Sequence, residues 1–208
     1  MSPFEATARR AAQHLNAVHA RWAFVGGLAV SSLSYPRFTN DIDAIVDVDS
    51  DRDAESLVAA LLARGYEVLV QLERDDGRLS TIRLLCPAVQ GTQVILDLLF
   101  ASTGIERQIV AAATKLKIFP TFTAPVATPA HLIAMKLLAV RPGRERDDQD
   151  LLHLLAGASS ADIEAATSAI AAIGAAGQGR DRDLAKMLDD YLRRAQEWKT
   201  SDDFDGAI

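Results

Sequence analysis

Two stretches decide how this chain is read: Trp22-Ala-Phe-Val-Gly-Gly-Leu-Ala-Val30 and, shortly after it, Arg37-Phe-Thr-Asn-Asp-Ile-Asp-Ala-Ile-Val-Asp-Val48. The first is a short apolar run closed by a glycine pair, which predicts a strand over residues 22–26, a tight turn and a helix over residues 28–34. The second alternates with period two. Asp41, Asp43 and Asp47 fall on one face and Ile42, Ala44, Val46 and Val48 on the other, the pattern of a half-buried strand with an acidic face.

Working outward, residues 4–20 form an amphipathic helix, and residues 51–64 form another, with acids in its first turn and Gly65 as its stop. Three further strands follow at 66–72, 79–86 and 93–100, the first two joined by the turn signal Asp75-Asp-Gly77. Residues 105–113 read as helix, and 115–126, rich in Thr and Phe and broken by Pro120, as an irregular edge strand or hairpin. Beyond that the pattern is wholly helical. Thr128-Pro129 opens a helix over 130–140, and 144–156, 160–173 and 180–199 complete four, with a glycine-rich hinge at 174–179 and an acidic, frayed tail at 200–208. The expected architecture is mixed α/β (α+β): a small mixed sheet flanked by helices over 1–127, then a helical part over 128–208, with the active site between them.

With 49% hydrophobic and 24% charged residues over 208 positions, disorder is excluded as the main state. The formal net charge of −6 excludes binding to nucleic acid by bulk attraction, so any such contact has to be local. No apolar window approaches a membrane span and no signal-peptide core is present, so a cytoplasmic protein without membrane partners is expected. The single Cys86, set in an apolar run, reads as core packing. GxSxG, CxxC, HExxH and P-loop patterns are absent, and His14, His19, His131 and His153 have no metal-ligand spacing.

The chemistry sits in the acids. Asp41 and Asp43, at i and i+2 on a strand, project to one side, where a divalent cation, Mg²⁺ or Mn²⁺, relieves their repulsion. Asp97 lies inside Val94-Ile-Leu-Asp-Leu-Leu-Phe100 and, being on a buried strand, must face a cleft, a cation or a base. Three carboxylates converging from two strands suit two-metal nucleotidyl transfer; a solvated acidic strand plus an Arg-paired Asp is the plainer alternative. Gly26-Gly27 at a helix start lets phosphate approach backbone amides. Lys136 interrupts an almost wholly apolar helix, either snorkelling to the surface or held at a dry cleft as a point charge for a triphosphate. Asp147, Asp148 and Asp150 alternate with Arg144 and Arg146 at a helix start, where a solvated face is the ordinary outcome.

In these residues the chain resembles the DNA polymerase β-like nucleotidyltransferase superfamily, and within it the AbiEii-type toxin branch that includes the MenT tRNA nucleotidyltransferases. The branch's first motif stands here as Phe24-Val-Gly-Gly-Leu-Ala-Val30 and Arg37-Phe-Thr-Asn-Asp-Ile-Asp43, and its later one as Lys136, Arg141 and Arg146-Asp-Asp-Gln-Asp-Leu151. The resemblance implies Mg²⁺-dependent transfer of a nucleoside monophosphate from an NTP to an acceptor hydroxyl, by a toxin with an antitoxin partner. It implies that Asp41, Asp43 and Asp97 are metal ligands, that Asp97 also helps activate the attacking hydroxyl, and that Lys136 and Asp147 flank the nucleotide. Gly26, Gly27, Arg37, Thr39 and Lys136 would bind its phosphates. Leu28 stands where relatives often carry a hydroxyl, Gly27 replaces the serine of a Gly-Ser form, and Arg146 replaces a lysine. The acceptor implied is tRNA or another RNA, for which Arg9, Arg10, Arg107, Lys115 and Lys117 would have to meet in space. A protein, an aminoglycoside-like small molecule, or a nucleotide-binding role without transfer are the alternatives.

Overall fold

The computed structural model describes residues 1–74 and 77–200, so most of the turn expected at Asp75-Asp-Gly77 and the tail from residue 201 lie outside the described residues. The described chain runs α1 (Pro3–Ala17), β1 (Arg21–Val25), α2 (Gly26–Leu33), β2 (Asp41–Asp47), α3 (Asp51–Leu62), β3 (Glu67–Glu73), β4 (Leu79–Leu85), β5 (Ile95–Leu99), α4 (Glu106–Ala112), β6 (Thr114–Phe119), β7 (Phe122–Val126), α5 (Pro129–Ala139), α6 (Glu145–Gly157), α7 (Ser160–Ala175) and α8 (Leu184–Lys199). All seven strands form one mixed sheet in the order β3-β4-β5-β2-β1-β7-β6. The mixed α/β class read from the sequence is the one observed.

The chain divides into two compact units. The first, built from Met1–Ala29, Phe38–Ser102 and Glu106–Ala127, holds the whole sheet with α1, α3, α4 and the first turn of α2. Its centre is the apolar face of β2 and β5, where Ile42, Ala44, Leu96 and Leu98 are fully buried. The second, Val30–Arg37, Thr103–Ile105 and the chain from Thr128 on, packs α5 against α6 and α7, and α6 against α8. Leu132, Ile133, Leu137 and Leu151 are closed from solvent there. Residues 115–126 prove to be a hairpin, β6 on the sheet edge and β7 running parallel to β1, with an irregularity between Lys117 and Phe119. Phe122 is buried in edge contact with Phe24. Cys86 is likewise buried, and burial pushes its thiol up to about 12.

The crowd of acids around β2 resolves into three pairs with three different reasons. Asp51 and Asp53 occupy the first turn of α3, where Ser50 caps the Asp53 amide and the helix dipole favours negative charge. Asp47 and Asp49 are neutralised by Arg21 and Arg107. Buried Ile45 lies on the same face of β2 and separates Asp47 from Asp41 and Asp43. Only Asp41 and Asp43 are left for chemistry.

One helix boundary differs from expectation for a tertiary reason. Residues 180–183 do not join α8, which starts at Leu184 behind an Asp183 cap. Arg180 and Arg182 instead donate to the Leu137, Leu138 and Val140 carbonyls at the open C-terminal end of α5, with Arg180 and Asp181 at positive φ. The expected hinge at 174–179 is also tighter than its glycines suggest: α7 continues through Gly174, and a Cβ placed on Gly104 would stand 2.6 Å from that of Ala176.

Candidate active site

A single row across the sheet positions the first unit's chemistry. Arg83 on β4 is opposite Asp97 on β5, Asp97 is opposite Asp43 on β2, and Asp43 is opposite Val25 on β1. Directly opposed residues share a face, so Arg83, Asp97 and Asp43 project together, and Asp41, two residues along, joins them. Val25 is the last residue of β1, and the chain breaks there into α2 through Gly26 at φ +62. Without a side chain, Gly26 lets the Asp43 carboxylate lie against it: an ideal Cβ would stand 1.9 Å from Asp43 Oδ2. Glycine is required here twice, by the left-handed backbone and by the carboxylate. Thr39 Oγ1 donates to Asp41 Oδ1 at 2.8 Å, so this expected nucleotide contact instead fixes the neighbouring carboxylate.

Asp97 is 7% exposed, and Arg83 grips it through two parallel bonds, Nε to Oδ1 at 2.8 Å and Nη2 to Oδ2 at 2.7 Å. The Arg83 pKa is raised, first by these bonds, with the charges of Asp41 and Asp43 adding to them. The guanidinium thus feels all three carboxylates. Among the described residues no group of three His, Cys, Asp or Glu side chains converges closely enough to hold a metal ion. The donor set nevertheless fits a hard cation at one point: Asp41 and Asp43 offer oxygen only and are half-exposed, Thr39 fixes Asp41, and Gly26 leaves room for the Asp43 carboxylate. Asp97, expected as a third ligand, has Arg83 on both oxygens.

The second unit has its own charged cluster, and Asp150 is its centre. Its carboxylate, 0% exposed, takes the Tyr35 hydroxyl at 3.0 Å, Arg37 Nη2 at 2.9 Å and Lys136 Nζ at 2.7 Å. Lys136, buried at 8% exposure, also donates to Asp147 at 2.7 Å. The snorkelling alternative for Lys136 is therefore not the one observed; its ammonium is held inside by two acids. Arg37, Lys136 and Asp147, expected on the nucleotide, are brought into one ion network around a residue that sequence reasoning passed over. Two signals pointed to Asp150: it closes the Asp-x-x-Asp pattern with Asp147 and immediately precedes buried Leu151. Asp148 belongs elsewhere, bonded to Arg194 and Tyr191 of α8.

Asp147 titrates accordingly. Burial works to raise its pKa, but the bonds and charges of Lys136 and Arg144 outweigh it and hold the value below the ordinary 3.8. A carboxylate depressed in the folded state stabilises fully above its unfolded value and loses that contribution as pH falls through the folded one. Melting temperature is therefore expected to drop as pH goes from 5 to below 4, and to drop less in Asp147→Asn. Equal slopes for the two proteins would remove Asp147 from the acid limb.

Of the basic residues that an RNA acceptor would need, three share one hairpin and one is paired with acids. Arg9 reaches the β6–β7 turn, donating to the Thr121 carbonyl and lying over the Phe122 ring, on the hairpin that carries Lys115 and Lys117. Arg107 is engaged by Asp47 and Asp49.

Residues 11–205 match the family model described as "Nucleotidyl transferase AbiEii toxin, Type IV TA system". No curated protein matches the chain. Two solved structures of the antibiotic-resistance factor ANT(2″)-Ia are similar. The solution structure has 14% identity and a TM-score of 0.46, with 94% of this chain and 95% of that one covered. The crystal structure in complex with adenylyl-2″-tobramycin has 13% identity and a TM-score of 0.43, with 90% and 94% covered. No helix among the described residues is long and apolar enough to cross a membrane.

Proposed function

Because the chain belongs to the AbiEii family of nucleotidyl transferase toxins of type IV toxin–antitoxin systems, we propose that this enzyme uses Mg²⁺ or Mn²⁺ to move a nucleoside monophosphate from an NTP to a hydroxyl of RNA, the tRNA 3′ end foremost. An antitoxin is its proposed partner in the cell. One observation carries the reading: two half-exposed carboxylates, Asp41 and Asp43, project from one strand face beside the glycine turn that opens α2.

Asp41 and Asp43 would hold the cation, which when bound supplies positive charge to the triphosphate and the leaving pyrophosphate. Thr39 keeps Asp41 oriented, and Gly26 leaves the room in which the Asp43 carboxylate sits. The first turn of α2, opened by Gly26 and Gly27, is assigned the phosphates, where backbone amides and the helix dipole favour negative charge. Asp97 is assigned the acceptor side: each of its oxygens has a lone pair beyond the one given to Arg83, and one of them takes the single proton of the hydroxyl as the new bond to the α-phosphorus forms and the bond to pyrophosphate breaks. Lys136, Asp147 and Arg37 are assigned to the nucleotide on the motif alone. Most of the rate enhancement on this reading is positioning and charge stabilisation.

The test is incubation of the purified protein with Mg²⁺, total RNA and each α-labelled NTP in turn, with a parallel set in EDTA. Label is expected in RNA, nuclease-sensitive and absent with EDTA. Protease-sensitive, nuclease-resistant label would assign a protein acceptor, and absence of macromolecular label with every NTP would sink transfer to RNA.

A further inference from the structure

The arginine on the third carboxylate of the row is the feature that the proposed function leaves unexplained. In a two-ion site, Asp97 would share a second cation with Asp43 or Asp41. Its surroundings here are built differently. Arg83 stands directly opposite Asp97 in the β4–β5 register and takes both carboxylate oxygens in a fork, at 2.8 and 2.7 Å. Fork-to-carboxylate pairing of this kind adds geometric fit to charge. The Asp97 side chain is largely closed from water while that of Arg83 is 44% exposed, so the arginine approaches from the open side, the side from which an ion would enter. Arg83 also lies within the field of Asp41 and Asp43. The row thus contains three carboxylates and one permanent cation. Asp41 and Asp43 are both half-exposed, Thr39 fixes one Asp41 oxygen, and Gly26 leaves the space in which the Asp43 carboxylate lies.

We propose that Arg83 is the resident cation of this site: it occupies at Asp97 the place of a second divalent ion, and the chain binds one divalent ion, at Asp41 and Asp43, where a two-ion site would bind two. This rests on the metal role assigned to Asp41 and Asp43 above. Three carboxylates sharing one face call for positive charge, and a guanidinium that stays protonated at any working pH supplies a fixed unit of it without depending on cation concentration. A second divalent ion at Asp97 would have to displace two charge-assisted hydrogen bonds and sit within a few ångströms of the displaced guanidinium, whose repulsion opposes it.

The experiment is a count of bound Mn²⁺ per chain, by the loss of the free-ion EPR signal during titration without nucleotide. The expected result is one ion for wild type and two for Arg83→Gln, with the second lost again in Arg83→Gln combined with Asp97→Asn. Asp97→Asn alone is the companion that does not depend on the Arg83 variant folding: it should still bind one ion, with affinity within about two-fold of wild type, because Asp97 is not a ligand. A count of two for wild type, or an ion lost in Asp97→Asn alone, overturns the proposal while leaving Asp41 and Asp43 as metal ligands. A count of zero for wild type overturns the metal role of Asp41 and Asp43, and the proposal with it. Circular dichroism melts of each variant establish that the counts refer to folded protein.

Discussion

Replacing Asp150 by Ala is expected to destabilise the second unit by about 3–5 kcal/mol, the usual cost of removing one partner from a buried ion pair. The reason is arithmetic of charge in a closed space. Asp150 is fully buried and accepts from Tyr35, Arg37 and Lys136, and removing its carboxylate leaves two cations around a void. Lys136 keeps Asp147, but Arg37 has its guanidinium aimed at the lost group, with Nε 2.8 Å from Asp150 Oδ1. The Tyr35 hydroxyl, pushed up to about 12 by burial and by the Asp150 charge, stays neutral and cannot replace it. For a chain of this size such a loss corresponds to a melting-point drop of roughly 10 °C or more. The two tryptophans allow the loss to be localised, since Trp22 lies in the first unit and Trp198 in the second, edge-on to His153, which stacks on Tyr35. In Trp22→Phe the remaining fluorescence reports on the second unit, and Asp150→Ala should shift its transition. A shift equivalent to less than about 1 kcal/mol would mean that the network contributes no more than a surface pair. An Asp150→Leu, Arg37→Met double variant should recover much of the loss, because it removes the orphaned cation together with its acid, and replacing a buried pair by apolar groups of similar volume is often neutral.

Much of the site was legible because its signals are local. The period-two alternation of residues 41–48 placed Asp41 and Asp43 on one strand face, and the glycine pair after an apolar run located the turn that meets them. A cap did the same for one helix start: Thr128-Pro129 stands where α5 begins. What could not be read depended on register between strands or on contacts across a unit. Arg83 meets Asp97 only because β4 and β5 pair with Ile82 opposite Leu98, and a slip of one residue would turn Arg83 to the other face. A faint trace existed: each is the lone charge in its apolar strand, of opposite sign, on consecutive strands. The start of α8 failed for the same kind of reason. Residues 180–183 have helix-compatible side chains, yet two arginines among them are drawn to the carbonyls that end α5. Asp150 was hidden by its company, since five charges in a row, Arg144 to Asp148, stand just before it at a helix start where such runs usually face water, and only the fold reveals which acids there turn inward.

Replacing Asp43 by Ala is expected to bring nucleotidyl transfer below detection while leaving the melting temperature unchanged or raised. Asp43 is half-exposed on β2, shares a face with Asp41 and Asp97 and lies against Gly26, so removing its carboxylate relieves repulsion among the three acids. Catalysis loses half of the oxygen set at which charge on the phosphates would be balanced, and Asp97, the third acid of the face, is held by Arg83. Gly26→Ala probes the same carboxylate from the other side. The added methyl would need the space of Asp43 Oδ2, 1.9 Å away, and would stand on a residue at φ +62. The backbone strain costs roughly 1–2 kcal/mol, and displacing the carboxylate by about an ångström costs on the order of 10²-fold in turnover. The two variants thus separate stability from chemistry in opposite directions. Asp43→Ala should be inactive and stable, whereas Gly26→Ala should be weakly active and destabilised, as read by urea unfolding beside labelled transfer. Retained transfer in Asp43→Ala would remove the carboxylate pair from the reaction. Full activity in Gly26→Ala would mean that Asp43 does not need the position in which the fold holds it.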